Sequence, residues 1–120
     1  MPVRLLNSAV LKWPDRDQAL ANIREWALKT GQKDSNIKKI CCFGSLASGK
    51  WGVGSDADIM IEIDSSHEPF MRRGLLYNTD KICVPADILI YTSAELDRMR
   101  DENTRMIRVL DHDSIVLYRR

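Results

Sequence analysis

Three aspartates stand where strand-forming sequence would ordinarily place apolar residues. Asp56 and Asp58 open the run at residues 57–63, and Asp87 lies within residues 84–91, flanked by Val84, Ile88, Leu89 and Ile90. The run at 57–63 alternates regularly, with Asp58, Met60 and Glu62 on one face and Ile59, Ile61 and Ile63 on the other, which is the period of a strand. Asp56 and Asp58 then share a face, with Cα atoms about 7 Å apart. A strand at 84–91 paired alongside would bring Asp87 to roughly 5 Å in the hydrogen-bonding direction. An ionised carboxylate on a buried strand face is costly unless something neutralises it, and like charges held this close raise the pKa of at least one of them. A divalent cation removes the conflict. Magnesium takes hard oxygen ligands, typically one or two carboxylates with water and phosphate completing the shell. Two such ions about 4 Å apart can clamp the attacking and leaving oxygens of a phosphoryl displacement. Taken alone, Asp56 after Gly54-Ser55 reads equally well as a turn residue. Asp87 does not, and the conjunction favours a site.

The second chemical element is a glycine-rich stretch from Gly44 to Gly54. Gly44-Ser45 follows an apolar run directly, so a turn there can present amide groups and a hydroxyl to a phosphate oxygen. Read literally, Gly44-Ser-Leu-Ala-Ser-Gly49-Lys50 satisfies most of a P-loop pattern. The next position decides against it: the motif requires Ser or Thr as a magnesium ligand, and Trp51 stands there. Gly52 and Gly54 would also interrupt the long helix that a P-loop must lead into.

The elements that must position these residues are legible from periodicity. Ala19, Leu20, Ile23, Ala27 and Leu28 recur at helical spacing; Asp15 and Gln18 form a capping box and Gly31 a natural stop, which predicts a helix over 16–30. The run at 37–43 predicts a buried strand. Pro69 opens a short helix over 69–78, weakened by Gly74. Residues 84–91 form a third strand. Thr92 and Glu95 make a second capping box, and Leu96, Met99, Met106 and Leu110 mark one face of a helix reaching about residue 110. Residues 115–118 close the chain as a strand. Helices alternate with strands and no linker interrupts them, so residues 1–120 read as one α/β domain with a mixed sheet of about four strands packed against helices.

Composition bounds the rest. At 120 residues, 44% apolar and 29% charged, the chain can bury a core without metals or disulfides. A net charge of +1 with dispersed basic residues does not indicate nucleic acid as the partner. The N-terminus lacks a signal-peptide core and no run approaches a membrane span, which makes a cytoplasmic location the expectation. Cys41 and Cys42 point to opposite faces of a strand and Cys83 stands alone, so the thiols read as packing residues in a reducing compartment.

Taken together, Gly44-Ser45, the Ser55-Asp56-Ala57-Asp58 strand entry eleven residues later and the lone Asp87 resemble the DNA polymerase beta-type nucleotidyltransferase superfamily, most nearly its minimal nucleotidyltransferases of bacteria and archaea. The resemblance covers residues 37 to about 95, and the helix before them also fits. It implies that Gly44, Ser45 and Ser55 hold the nucleotide. Asp56 and Asp58 would bind two Mg2+ ions, and Asp87 would bind the catalytic one and help take a proton from an attacking hydroxyl. ATP or another nucleoside triphosphate would be the co-substrate, AMP the group transferred, and a hydroxyl the acceptor. Larger relatives add a helical domain that shapes the acceptor site. This chain ends too soon for one, so the acceptor surface is expected from a second copy or another protein. Minimal members often pair with a helical HEPN-domain protein and, as antitoxins, nucleotidylate it. The alternative is a non-catalytic module that neutralises its partner by docking alone. One departure stands out: many relatives carry Arg between Ala47 and Gly49, where this sequence has Ser48, with Lys50 as the nearest substitute charge.

Other residues read more plainly. His67 and His112 are solvated loop side chains, and Arg72, Arg73 and Arg100 lie on solvated faces. Trp51 either stacks on a base or covers the core or a partner surface. Glu62 shares the Asp58 face but lies about two pleats further on, outside the catalytic set.

Overall fold

A computed structural model describes residues 13–120; the N-terminal stretch read above as lacking a signal peptide falls largely outside them. Helix α1 (Arg16–Lys33) starts where the capping box places it. The Gln18 amide donates to Asp15 Oδ1 at 2.8 Å and the Asp15 amide to Gln18 Oε1 at 3.0 Å. Its inward stripe is Ala19, Ile23, Trp26, Ala27 and Gly31. Gly31 does not stop the helix, which runs on to a cap at Asp34. The glycine is buried against the ring of Tyr118, where any Cβ would overlap the aromatic carbons, so it serves close packing rather than chain reversal.

Strands β1 (Ile37–Phe43), β2 (Ala57–Ile63), β3 (Ala86–Thr92) and β4 (Ile115–Arg119) form one sheet in the order β3-β2-β1-β4. β1 runs antiparallel to β2 and β4, while β2 and β3 are parallel, which makes the sheet mixed. β3 begins two residues later than expected because Pro85 has no amide to donate. Its carbonyl instead accepts the Ala57 amide at 2.9 Å, and the ladder starts at Ala86.

The two faces bury separate cores. On one, α1 covers Ile40, Cys42, Ile59, Ile61 and Ile63. On the other, Cys41 and Met60 pack with Leu96, Ile107 and Leu110. The latter three come from α3 (Ser93–Glu102) and α4 (Arg105–His112). The Asp58 face of β2 is therefore covered in its middle, with Met60 1% exposed. The single helix expected from Thr92 to about residue 110 is two. Asn103 adopts the left-handed conformation at φ 53° and ψ 50°, and the Thr104 hydroxyl accepts the Ile107 amide at 3.1 Å, starting a new helix. The capping box at Thr92 and Glu95 forms as expected.

The weak helix at 69–78 is a shorter 3-10 segment, Phe70–Leu75. Arg73, expected on a solvated face, is buried at 5% exposure. Its guanidinium donates to both Glu95 carboxylate oxygens, at 2.6 and 3.1 Å, to the Ile90 carbonyl at 3.1 Å and, through Nε, to the Glu68 carbonyl at 2.9 Å. It thereby ties the 3-10 segment to the end of β3 and the start of α3. The Arg73 bond holds the Glu95 carboxyl below its ordinary range, so this contribution to stability is present above the ordinary Glu pKa and is lost as pH falls through the depressed folded value. Arg73→Met should cost about 3 kcal/mol, the low end for losing one partner of a buried pair, because Glu95 keeps some solvent. Urea denaturation at pH 7 and pH 3.5 checks this: the gap between wild type and variant should narrow at the lower pH, and an unchanged gap would refute the assignment.

Candidate active site

The site forms where β1 ends and β2 and β3 begin. In the parallel ladder Asp58 is the direct register partner of Asp87, so both side chains leave the sheet on the same face. Asp58 is half-buried; Asp56, immediately before β2, and Asp87, on the edge strand, are exposed. The Asp58 carboxyl is pushed up, first by burial, then by the charges of Asp87 and Asp56. No ion pair neutralises any of the three among the described residues.

On the other side of Asp58, β1 supplies Phe43 as its register partner, and the chain turns at Gly44. Gly44 adopts φ 69° and ψ −146°, a region essentially reserved for glycine. A Cβ there would run into Asp58 Oδ2. The turn is thus pressed directly against the carboxylate. Ser45 opens the four-residue helix α2 (Ser45–Ser48), whose Ala47 and Ser48 amides donate to the Gly44 carbonyl at 3.1 and 2.9 Å. Leu46 is fully buried in the core and anchors the turn from below. Ser55 closes a separate turn, its hydroxyl accepting the Gly52 amide at 3.0 Å and its own amide donating to the Gly52 carbonyl at 3.0 Å.

This is the donor set a hard divalent cation takes: carboxylate oxygens with unrelieved repulsion beside an open edge. Among the described residues no three Asp, Glu, His or Cys side chains close on one point by themselves. A magnesium ion needs only one or two carboxylates, so the arrangement fits one that also takes oxygens from substrate. A recess of about 830 Å³ between α1 and the segment at 76–81 is lined by Trp26, Tyr77 and Asn78 among others and includes none of Asp56, Asp58 and Asp87.

A model of the nucleotidyltransferase domain matches residues 23–116, most of the chain. The chain belongs to the nucleotidyltransferase domain family. Its fold is similar to the crystal structure of a nucleotidyltransferase-like protein from Sulfolobus solfataricus, with a TM-score of 0.63 and 19% identity over 88% of this chain and 84% of that one. At that identity the likeness is one of fold. None of the curated proteins compared with the chain matches it.

Several other residues of the domain have settled environments. Trp51 packs against the core and donates from Nε1 to the Pro14 carbonyl at 3.0 Å, which is the core-covering role. Glu62 accepts the Ser93 hydroxyl at 2.8 Å, at the far end of β2 from Asp58. Ser48 and Lys50 are exposed, as are His67 and His112. Arg100 is exposed as expected and makes a two-bond pair with Asp111 at 2.9 Å each. Burial raises the Cys41 thiol and pushes Cys42 up to about 11, as suits packing residues. Sequence reasoning missed Arg16, whose Nε donates to the Leu46 carbonyl at 2.8 Å; as the first residue of a helix it carries no signal of a contact thirty positions away. No helix among the described residues is long and apolar enough to cross a membrane.

The raised Asp58 pKa means that ionising this group costs the folded state more than the unfolded one. Asp58→Asn should therefore raise the Tm in chelator-containing buffer at pH 7, and scanning calorimetry would refute the unrelieved-repulsion reading if the Tm fell. Gly44→Ala should do the reverse, costing about 1–3 kcal/mol through φ strain and collision with Asp58. A variant as stable as wild type in chemical denaturation would show that the turn is not pressed on the carboxylate.

Proposed function

We propose that the protein transfers a nucleoside monophosphate, AMP from ATP, to a hydroxyl on a partner protein, in a magnesium-dependent reaction that releases pyrophosphate. The observation that carries this reading is the register of Asp58 with Asp87, two uncompensated carboxylates on one face beside the Gly44 turn. Asp56 and Asp58 would hold both ions and Asp87 the catalytic one. When bound, the ions would supply charge neutralisation at the phosphate oxygens. Gly44, Ser45 and Ser55 would seat the nucleotide.

In the transfer, the bond from the α-phosphorus to the acceptor oxygen forms as the bond to the pyrophosphate oxygen breaks. The acceptor proton passes to Asp87, whose exposure on an edge strand lets a bulky acceptor reach it. Alignment and electrostatics carry the rate; no covalent enzyme intermediate is required. The resemblance drawn from the motifs supports a HEPN-type helical protein as the acceptor and an antitoxin role. The free thiols at Cys41, Cys42 and Cys83 support a reducing, cytoplasmic setting.

The test is incubation of the protein with ATP labelled at the α-phosphate, magnesium and the partner that co-purifies from the native host. Label should appear on the partner, depend on magnesium, and fall by about 10²-fold or more with Asp58→Asn. If that variant neutralises the partner fully and wild type transfers no label, the protein acts by docking alone.

A further inference from the structure

We infer that Arg16 is a positioning residue for the turn that seats the nucleotide, holding Gly44–Ser48 at a fixed offset from the Asp58 carboxylate. The inference rests on the functional reading above for its consequence, but not for its geometry. A helix as short as α2 leaves its carbonyls without intrahelical donors, and its chain reverses at once through Gly49 in the left-handed region. Arg16, in the first turn of α1, answers two of those carbonyls. Its Nε donates to Leu46 at 2.8 Å and its Nη2 reaches Ala47 at 3.5 Å. The first is a short, charge-assisted bond from a half-buried guanidinium; the second is at the limit of a bond.

A second tie lies on the far side of the same loop, where the Trp51 indole donates to the Pro14 carbonyl. Pro14 and Arg16 flank Asp15, the residue whose capping box fixes the start of α1. The loop is thus pinned at two points to one rigid helix start, and the side chain of Leu46, at the first of them, is buried in the core. At the start of the same turn Gly44 already touches Asp58 so closely that a methyl group has no room. With its start in contact, the Arg16 tie at Leu46 and Ala47 decides whether the turn stays seated or tilts. A tilt changes the distance between bound phosphates and the carboxylates, and displacements of about 1 Å at a reacting centre cost up to 10²-fold in rate. No carboxylate pairs with Arg16 among the described residues, so the carbonyls of this turn are the acceptors its charge serves there.

Arg16→Met and Arg16→Lys, compared with wild type, test this by two readouts. Hydrogen exchange on the intact protein should show faster exchange at amides 45–48 in Arg16→Met, with β2 amides unchanged and Arg16→Lys intermediate. In the labelled-ATP assay Arg16→Met should lose about tenfold in kcat at saturating ATP, partly restored by Arg16→Lys. Exchange at 45–48 equal to wild type overturns the inference whatever the activity does, and so does a wild-type kcat in Arg16→Met. Should Arg16→Met not fold, Arg16→Lys carries both comparisons. If wild type itself transfers no label, the functional reading fails while the exchange experiment still decides whether Arg16 holds the turn.

Discussion

The parallel pairing of β2 with β3 forces two like charges into adjacent positions, and the rest of the site is arranged around that conflict. Shifting the register by one residue would separate Asp58 from Asp87, but it would also turn Ile59, Ile61 and Ile63 away from the core that α1 covers. Burial of each such side chain stabilises by about 1.5–3 kcal/mol, whereas a like-charge pair across strands costs roughly 1 kcal/mol or less. The apolar ladder therefore wins, and the carboxylates are held together whether or not anything neutralises them. Repulsion is thus a by-product of a register set elsewhere, which is how a small domain can keep a charged cluster organised with nothing bound to it.

The supports lie on all sides of this cluster. From β1, Gly44 brings backbone against Asp58 where any other residue would collide. Behind the turn, Arg16 and Trp51 connect it to the start of α1. Over the sheet, Met60 and Cys41 are sealed by α3 and α4, so the Asp58 face changes from polar to fully buried within two residues along β2. At the far end, Arg73 locks the 3-10 segment to β3 and α3 through Glu95. Interactions that fix the fold are thus concentrated away from the carboxylates, which contribute no ion pair among the described residues.

Much of this was readable in the sequence because it is local. Strands β1 and β2 coincide with their apolar runs, and both capping boxes form, since each depends on residues three apart. The same-face relation of Asp58 and Asp87 was inferred from period and a supposed pairing; the ladder places the two in register. What was missed depends on contacts distant along the chain. Gly31 looks like a helix stop until Tyr118 is seen against it. Arg73 looks solvated until Glu95 and the Ile90 carbonyl close around it. The break at Asn103 is an intermediate case: Asn-Thr offers a left-handed cap followed by a new N-cap, but a continuous apolar face from Leu96 to Leu110 hides it.

The two aspartates in register differ in their surroundings. Asp58 is half-buried between the glycine turn and its neighbours, and its carboxyl resists ionisation chiefly because of that burial. Asp87 sits on the edge strand and is exposed, with β3 unpaired on its outer side among the described residues. A ligand bound to Asp58 must fit space already defined by Gly44, whereas one approaching Asp87 meets an open rim. On the proposed function, the inner position would suit a group of fixed size and charge, such as a phosphate carried with its cation, and the outer one an acceptor that varies in shape. The asymmetry follows from strand order alone: β2 is flanked on both sides and β3 on one, so the same residue type acquires a closed environment in one strand and an open one in its neighbour.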